Sequence, residues 1–142
     1  MLDKNTKANL AIEAAFWKKL LAFIIMAMGI VYPFQDIRAI IITAIYWVIA
    51  AFIMYRAMQV SKAIDLLQEY GPLIINHPEY TFADYCKNFR RDRDIIIKDL
   101  ELMKKKKILF GQIDTFNNRF IIDEDYNLRY LLKKKKWDSA IF

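Results

Sequence analysis

Residues 39–55 read AIIITAIYWVIAAFIMY without one charged side chain, and Arg56 ends the run. A transmembrane helix needs roughly 20 mostly apolar residues, and this run supplies about 17. The composition of the whole chain fits a segregated architecture, because 56% of its 142 residues are hydrophobic although the net charge is +6. Its acids and lysines lie almost entirely outside residues 20–56. The sequence therefore predicts an integral membrane protein.

Another apolar run, residues 20–34 (LLAFIIMAMGIVYPF), lies before residues 39–55 in the chain. It reaches spanning length when the helix begins near Ala14, with Lys18 and Lys19 extending to the lipid headgroups. Pro33 cannot continue a helix, so residues 33–38 are predicted to form a tight turn between two spans. A buried hairpin in a soluble core is the alternative. It is disfavoured because both segments are apolar on every face and the rest of the chain is too small to cover them.

The flanking charges predict the orientation of this hairpin. Cytoplasmic flanks of membrane spans are rich in lysine and arginine. Six cations flank the two outer ends: Lys4, Lys7, Lys18, Lys19, Arg56 and Lys62. The expected location is the inner (plasma) membrane, with two spans and both termini cytoplasmic. The spans hold no ionisable group of the kind that marks a transport path, so residues 20–56 are interpreted as an anchor.

Residues 1–19 are predicted to be helical. Leu10, Ala14 and Trp17 share one helix face, which favours an amphipathic helix lying along the bilayer surface. A direct helical extension of the first span fits the same pattern equally well.

Residues 57–123 carry an amphipathic pattern that predicts a cytoplasmic domain. Gly71-Pro72 indicates a break or kink in its first helix. Thr81 opens a second helix, with Asp84 at the capping-box position, and Asp92 caps a third. The inward stripe of the third helix is Ile96, Leu100 and Met103.

A β-hairpin is predicted after these helices. Residues 108–114 form its first strand, with Gly111 at a position that suits a bulge, and residues 119–122 return after a turn. Three helices followed by a hairpin is the winged-helix order, in which the second and third helices form a helix-turn-helix. The predicted fold class is mainly α: a transmembrane helical hairpin followed by a small α+β winged-helix domain. Residues 124–142 are assigned as a basic C-terminal tail.

The stretch TFADYCKNFRRDRDIIIKDLELMKKKKILFGQIDTFNNRFII resembles the winged-helix half of PCI-type domains, named for proteasome lid, signalosome and initiation factor. It is also similar to small bacterial membrane proteins with two spans followed by such a domain. The matching features are Thr81, Lys98-Asp99-Leu100 with Met103, Gly111 before Ile113-Asp114, and the strand after Asn117-Asn118. The resemblance implies an assembly module and no particular activity. The chain departs from the pattern at Gly71-Pro72, and at Lys107, where a glycine often precedes the first strand.

Cations in the predicted helix-turn-helix support a DNA-binding hypothesis. Arg90, Arg91 and Arg93 stand at the start of the third helix and suit phosphate contacts. Lys98 follows on the same helix. Three acids are predicted to share its solvent face, where phosphates would repel them: Asp94, Asp99 and Glu101. The helix also offers no Asn, Gln or Ser for base readout.

A protein-interaction hypothesis competes with DNA binding and is preferred. It rests on the assembly role that the resemblance implies and on Phe116, an aromatic residue predicted at the wing tip. The preferred partner is thus another protein, with DNA as the second hypothesis. A homo-oligomer is a further alternative.

The tail suggests a third partner, anionic lipid. Four consecutive lysines, Lys133, Lys134, Lys135 and Lys136, precede Trp137. Beside a cytoplasmic leaflet each lysine contributes about 1 kcal/mol of attraction. A solvated basic run explains the same residues equally well, and RNA contact is a weaker possibility.

Catalysis has little support in the sequence, and no cofactor or metal is expected. His77 is the sole histidine and Cys86 the sole cysteine, which leaves neither a histidine-pair motif nor a thiolate metal site. Asp123, Glu124 and Asp125 are contiguous, so regular structure would point them apart. The protein is predicted not to be an enzyme.

Overall fold

The computed structural model describes residues 2–31 and 36–141, with the backbone alone at residues 30, 31 and 135–141. This part of the chain is mainly helical with one small antiparallel sheet, which confirms the mainly-α class. The elements follow in the order α1 (Lys4–Val31), α2 (Ile37–Asn76), α3 (Phe82–Phe89), α4 (Arg93–Lys105), β1 (Gly111–Asp114), β2 (Arg119–Ile122) and α5 (Leu128–Ile141).

The chain divides into two compact units. One is Ile12–Ser61, and the other joins Met1–Ala11 to Lys62–Phe142. Both α1 and α2 therefore contribute residues to each unit. We call Ile12–Ser61 the hairpin unit and the other the C-terminal unit.

In the hairpin unit, small side chains are buried at intervals of seven residues. They are Ala15, Ala22 and Gly29 in α1, and Thr43, Ala50 and Ala57 in α2. Small residues let helix backbones approach closely, and a seven-residue period is typical of helices that wrap around each other with left-handed twist. The approach is tight at Gly29, because a Cβ there would lie 2.8 Å from Trp47 Cδ1. Half of the predicted turn at 33–38, residues 33–35, lies outside the described residues, and α2 begins within the other half at Ile37.

Helix α2 is long and apolar enough to cross a membrane. Its best 18-residue window has a mean hydropathy of 2.2, and only 11% of that window is buried within the chain. Within the described ranges it is the one helix that meets this criterion. The other predicted span, 20–34, ends among residues that the structure does not describe.

Helix α2 also contradicts the predicted break at Gly71-Pro72, since it runs through both residues to Asn76. A proline inside a helix removes one backbone hydrogen bond. Tyr70 and Ile74, before and after Pro72, are 0% and 4% exposed. Their burial on one helix face compensates for the missing bond, and the exposed Pro72 sits on the opposite side.

The C-terminal unit surrounds an aromatic and aliphatic core. Its largest fully buried side chains are Tyr70, Tyr85, Phe82, Ile96, Leu100, Met103, Ile108, Leu109 and Leu128. The predicted inward stripe of the third helix is confirmed, since all three of its members are completely buried. The predicted N-cap residues Thr81 and Asp92 directly precede α3 and α4.

The β-hairpin formed by β1 and β2 is regular, but its first strand begins later in the chain than predicted. Gly111 pairs with Ile122 and Asp114 with Arg119, without a bulge. Gly111 is required for another reason, because a Cβ there would overlap the Phe120 ring and the Ile121 carbonyl oxygen. Ile108 and Leu109 were predicted to be in the strand. They instead donate their backbone N–H groups to Met103 O and cover the end of α4.

Candidate interaction surface

The turn between α3 and α4 is stabilised by local polar contacts. Asp84 Oδ2 accepts the backbone N–H of Thr81 at 2.9 Å and the Thr81 side chain accepts the backbone N–H of Asp84, which is the predicted capping box. The Thr81 hydroxyl also donates to Asp84 Oδ2 at 3.0 Å. These hydrogen bonds lower the pKa of Asp84. Arg90 ends α3 in the left-handed conformation, with φ of 53°, and its side chain is exposed.

Arg91 is engaged within the C-terminal unit. Its Nη2 lies 2.9 and 3.0 Å from the two carboxylate oxygens of Glu69, and its Nη1 donates to the Tyr70 hydroxyl at 3.3 Å. The Tyr70 hydroxyl in turn donates to Asp99 Oδ2 at 2.8 Å. Hydrogen bonding to Tyr70 and to Glu69 raises the pKa of Arg91. This arginine therefore ties α2 to α4, which leaves little of its donor capacity for a ligand.

Asp99 corrects the prediction of an acidic solvent face on α4. Its side chain is only 14% exposed and lies 3.5 Å from Arg91 Nη1. Asp94 and Glu101 are exposed as predicted, and so is Lys98. Both signs of charge are thus present on the exposed side of α4.

Arg93 connects the start of α4 to the hairpin turn, which we call the wing tip (residues 115–118). Its Nη2 donates to Asn118 Oδ1 at 2.6 Å. The Asn118 carbonyl oxygen accepts the backbone N–H of Phe82, also at 2.6 Å. The wing tip is therefore held against the beginning of both α3 and α4.

Phe116 projects from the wing tip and is 92% exposed, more than any other large hydrophobic residue among those described. The turn that carries it is ordered by Asp114. Asp114 Oδ1 accepts the backbone N–H groups of Phe116 and Asn117, both at 3.0 Å, and its Oδ2 accepts from Asn117 Nδ2 at 2.7 Å. These bonds, those from Asn117 foremost, lower the pKa of Asp114. A rigid turn therefore presents an aromatic ring to solvent.

An open groove of about 540 Å³ lies beside the wing tip. It is lined by Thr81, Phe82, Ala83, Cys86, Arg93, Asn117 and Asn118. The lining combines an apolar floor from α3 with one cation and two amides, and none of these seven residues is acidic. Such a mixture suits a peptide segment with both apolar and acidic side chains.

Residues predicted to contact lipid lie in two helices. Lys18 is exposed and Lys19 half-buried in α1. Lys133 is exposed and Lys134 half-buried in α5. Lys135, Lys136 and Trp137 belong to the helical backbone of α5, and their side chains lie outside the described structure.

Residues with catalytic potential are dispersed. The His77 ring stacks on Tyr80 with a centroid distance of 4.3 Å, and its Nδ1 lies 3.3 Å from Glu79 Oε1. Cys86 lines the groove, whereas His77 and Glu79 do not. Over the described ranges, no three His, Cys, Asp or Glu residues are grouped so that they could hold a metal ion.

No protein-family model, curated protein or solved structure matches this chain.

Two features of the C-terminal unit were missed from the sequence. The tail forms helix α5, which Asn127 begins by accepting the Tyr130 N–H at 3.0 Å. The spacing of Leu128, Leu131 and Leu132 after an asparagine would have indicated this helix. The start of α1 joins the same unit through a 2.9 Å ion pair from Lys4 to Asp123. No local sequence pattern predicts an ion pair between two residues as far apart in the chain as Lys4 and Asp123.

Proposed function

We propose that the chain is a two-span membrane protein whose cytoplasmic winged-helix domain binds a protein partner through the wing tip and the adjoining groove. The observation that carries the proposal is Phe116, an aromatic side chain that is 92% exposed on a turn ordered by Asp114. Exposed aromatic anchors on rigid elements are typical of binding hot spots. The groove supplies the apolar and polar lining that would complete such an interface.

Membrane insertion is supported by the large apolar side chains that the hairpin unit exposes. On α1 and α2 they include Phe23, Ile24, Ile41, Val48, Phe52 and Tyr55, each between 47% and 69% exposed. A soluble protein would leave few such residues uncovered. In a bilayer, the lipid acyl chains would cover these exposed side chains around the parts of α1 and α2 in the hairpin unit. The positive flanks then favour cytoplasmic termini.

The winged-helix assignment is supported by the order of the elements and by one additional pairing. Thr81 forms an isolated antiparallel bridge with Arg119 in β2. It lies between the end of α2 and the start of α3, where a winged helix has a short strand that joins the sheet of the wing. The end of α2, α3, α4 and the β1–β2 hairpin then correspond to the three helices and the wing.

The second hypothesis, DNA binding, is less favoured by the arrangement of the arginines. Arg91 is occupied by Glu69 and Tyr70, and Arg93 by Asn118. Arg90, Arg93 and Lys98 are exposed, although Arg93 also donates to Asn118. Three cations next to exposed acids would give weak phosphate binding with a shallow salt dependence.

The decisive experiment is site-specific photo-crosslinking in cells, with a photoreactive phenylalanine analogue in place of Phe116. We expect a discrete protein adduct that is resistant to nuclease. The matched control places the analogue at Asp65, an exposed position on α2, where no such adduct should form. A nuclease-sensitive adduct from position 116 would support DNA instead. Absence of any adduct, with normal membrane levels of the protein, would refute the wing-tip interface.

A reporter fused after Phe142 tests the topology separately. A cytoplasm-active reporter should function there, and a periplasm-active one should not. The opposite result would overturn the proposed orientation.

A further inference from the structure

We propose that α5 is a second contact surface, which lies on the cytoplasmic leaflet and binds anionic phospholipid headgroups. This inference rests on the proposed membrane anchoring and is independent of the wing-tip partner. It assigns a role to α5, a helix that contributes to neither the wing tip nor the groove.

The described part of α5 is two-faced. Leu128 and Leu131 are each 2% exposed and attach the helix to the C-terminal unit. Leu132 contributes to the same attachment, because it packs against Gly71. Arg129, Tyr130 and Lys133 are exposed, and Tyr130 retains 54% of its accessible surface. An exposed side of a helix that combines an aromatic ring with cations suits the headgroup region of a membrane.

Charge complementarity commits this face to an anionic surface. The α5 sequence LRYLLKKKKWDSAI has one arginine and four lysines against a single acid, Asp138. On a helix, positions 130, 133 and 134 are neighbours, so the first two lysines of the run lie next to Tyr130. Each lysine close to an anionic leaflet strengthens the association roughly fivefold.

The covalent connection favours a membrane over a soluble anion. The C-terminal unit resumes at Lys62, a few residues after Arg56 at the end of the predicted span. Helix α2 continues from that span to Asn76, which is at most about 30 Å further along the helix, so the chain keeps the domain close to the bilayer. Even weak attraction to the leaflet is effective there because the local concentration of headgroups is high.

The other lysine run, Lys104 to Lys107, differs in its surroundings and provides a matched control. It lies at the end of α4, which also carries Asp94, Asp99 and Glu101. Lys104 and Lys106 in this run are half-buried. Replacing this run removes the same number of positive charges at another place on the same unit.

Spin labelling of the full chain in lipid nanodiscs tests the proposal. Cys86 is the only cysteine, so Cys86→Ser provides a background in which Tyr130→Cys carries the single label. A second protein carries the label at Phe116→Cys. Accessibility to oxygen, which partitions into lipid, is compared with accessibility to a water-soluble nickel chelate. The discs contain phosphatidylcholine either alone or mixed with phosphatidylglycerol.

We expect the label at 130 to become several-fold more accessible to oxygen relative to nickel only in discs with phosphatidylglycerol. Replacing Lys133 to Lys136 by glutamine should abolish this change, and replacing Lys104 to Lys107 by glutamine should not. The label at 116 should stay in water in both lipids.

Three results would overturn the proposal. The label at 130 could stay in water in both lipids, could enter both lipids equally, or could respond equally to the two sets of lysine replacements. Failure of the full chain to enter nanodiscs would instead refute the membrane anchoring on which the inference rests. The two failures are therefore distinguishable.

Discussion

The guanidinium group of Arg91 and the carboxylate of Glu69 form a two-pronged ion pair, with Nη2 2.9 Å from Oε1 and 3.0 Å from Oε2. Glu69 lies near the end of α2, and Arg91 follows α3. The pair therefore connects the helix that leaves the hairpin unit with the predicted helix-turn-helix. An arginine that sequence analysis assigned to a ligand thus contributes to the stability of the fold.

We expect Arg91→Ala to lower the free energy of unfolding by about 1–3 kcal/mol, because it leaves Asp99 and the Tyr70 hydroxyl without a cationic neighbour. Arg91→Lys should recover only part of this, since lysine cannot make the two-pronged contact. Thermal unfolding of the detergent-solubilised chain measures the effect. The exposed Arg90→Ala is the control and should change stability little. Equal effects of the two alanine variants would contradict the structural role of Arg91.

Two positively charged residues adopt left-handed backbone conformations that glycine prefers: Arg90 at φ 53° and Lys107 at φ 60°. Glycine has no Cβ and adopts such positive φ values without steric cost. Arg90→Gly and Lys107→Gly should each stabilise the C-terminal unit by about 0.5–1 kcal/mol. Lys105→Gly, inside the last turn of α4, should destabilise it by a similar amount. A loss of stability in the first two variants would contradict the backbone assignment.

The two glycines of the C-terminal unit should respond differently to a methyl group. At Gly111 the added Cβ would overlap backbone, the Ile121 carbonyl oxygen, which cannot move aside. Gly111→Ala should therefore cost about 1–3 kcal/mol. At Gly71 the close atom is Leu132 Cδ1, the end of a flexible side chain, and alanine also favours the helix. Gly71→Ala should be near neutral, and unfolding midpoints of the two variants provide the comparison.

The N-terminal segment is expected to order the start of α5. Lys4 pairs with Asp123 at 2.9 Å, and Asn5 Oδ1 accepts the Asn127 N–H at 3.1 Å. Lys4→Glu should accelerate hydrogen exchange in residues 123–130, and adding Asp123→Lys should restore protection. A fragment without residues 1–11 would lose both contacts. Unchanged exchange in Lys4→Glu would argue against this contact in solution.

Alkaline pH should destabilise the C-terminal unit through its buried tyrosines. Burial raises the pKa of Tyr85 to about 12, above the value of 10.0 for an exposed tyrosine. The neutral form is therefore favoured in the folded state. The resulting stability is fully present below pH 10 and is lost as pH rises from 10 through 12.

In that interval Tyr85 contributes a slope of at most about 1.4 kcal/mol per pH unit. Tyr85→Phe should show a shallower loss of stability between pH 10 and 12 than the parent chain. Absorbance at 295 nm should show one late-titrating tyrosine fewer. An unchanged titration curve would mean that Tyr85 is not the group responsible.

Local sequence patterns were sufficient to predict four features: the capping box at Thr81 and Asp84, the inward stripe of α4, the return strand 119–122 and the apolar helix α2. Each depends on side chains a few residues apart, which is the range over which spacing is informative. Of the candidate surface, sequence analysis named Arg93 and Phe116, with Phe116 at an exposed turn as predicted, but it did not name the groove residues of α3.

Tertiary contacts alone decided the rest. Pro72 stays inside a helix because Tyr70 and Ile74 are buried on either side of it. Arg91 faces Glu69, and Asp99 lies beneath the Tyr70 hydroxyl, because α2 and α4 pack together. The ion pair of Lys4 with Asp123 joins residues 119 positions apart. Charge identifies which residues can form such contacts, but only the folded backbone brings particular partners within hydrogen-bond distance.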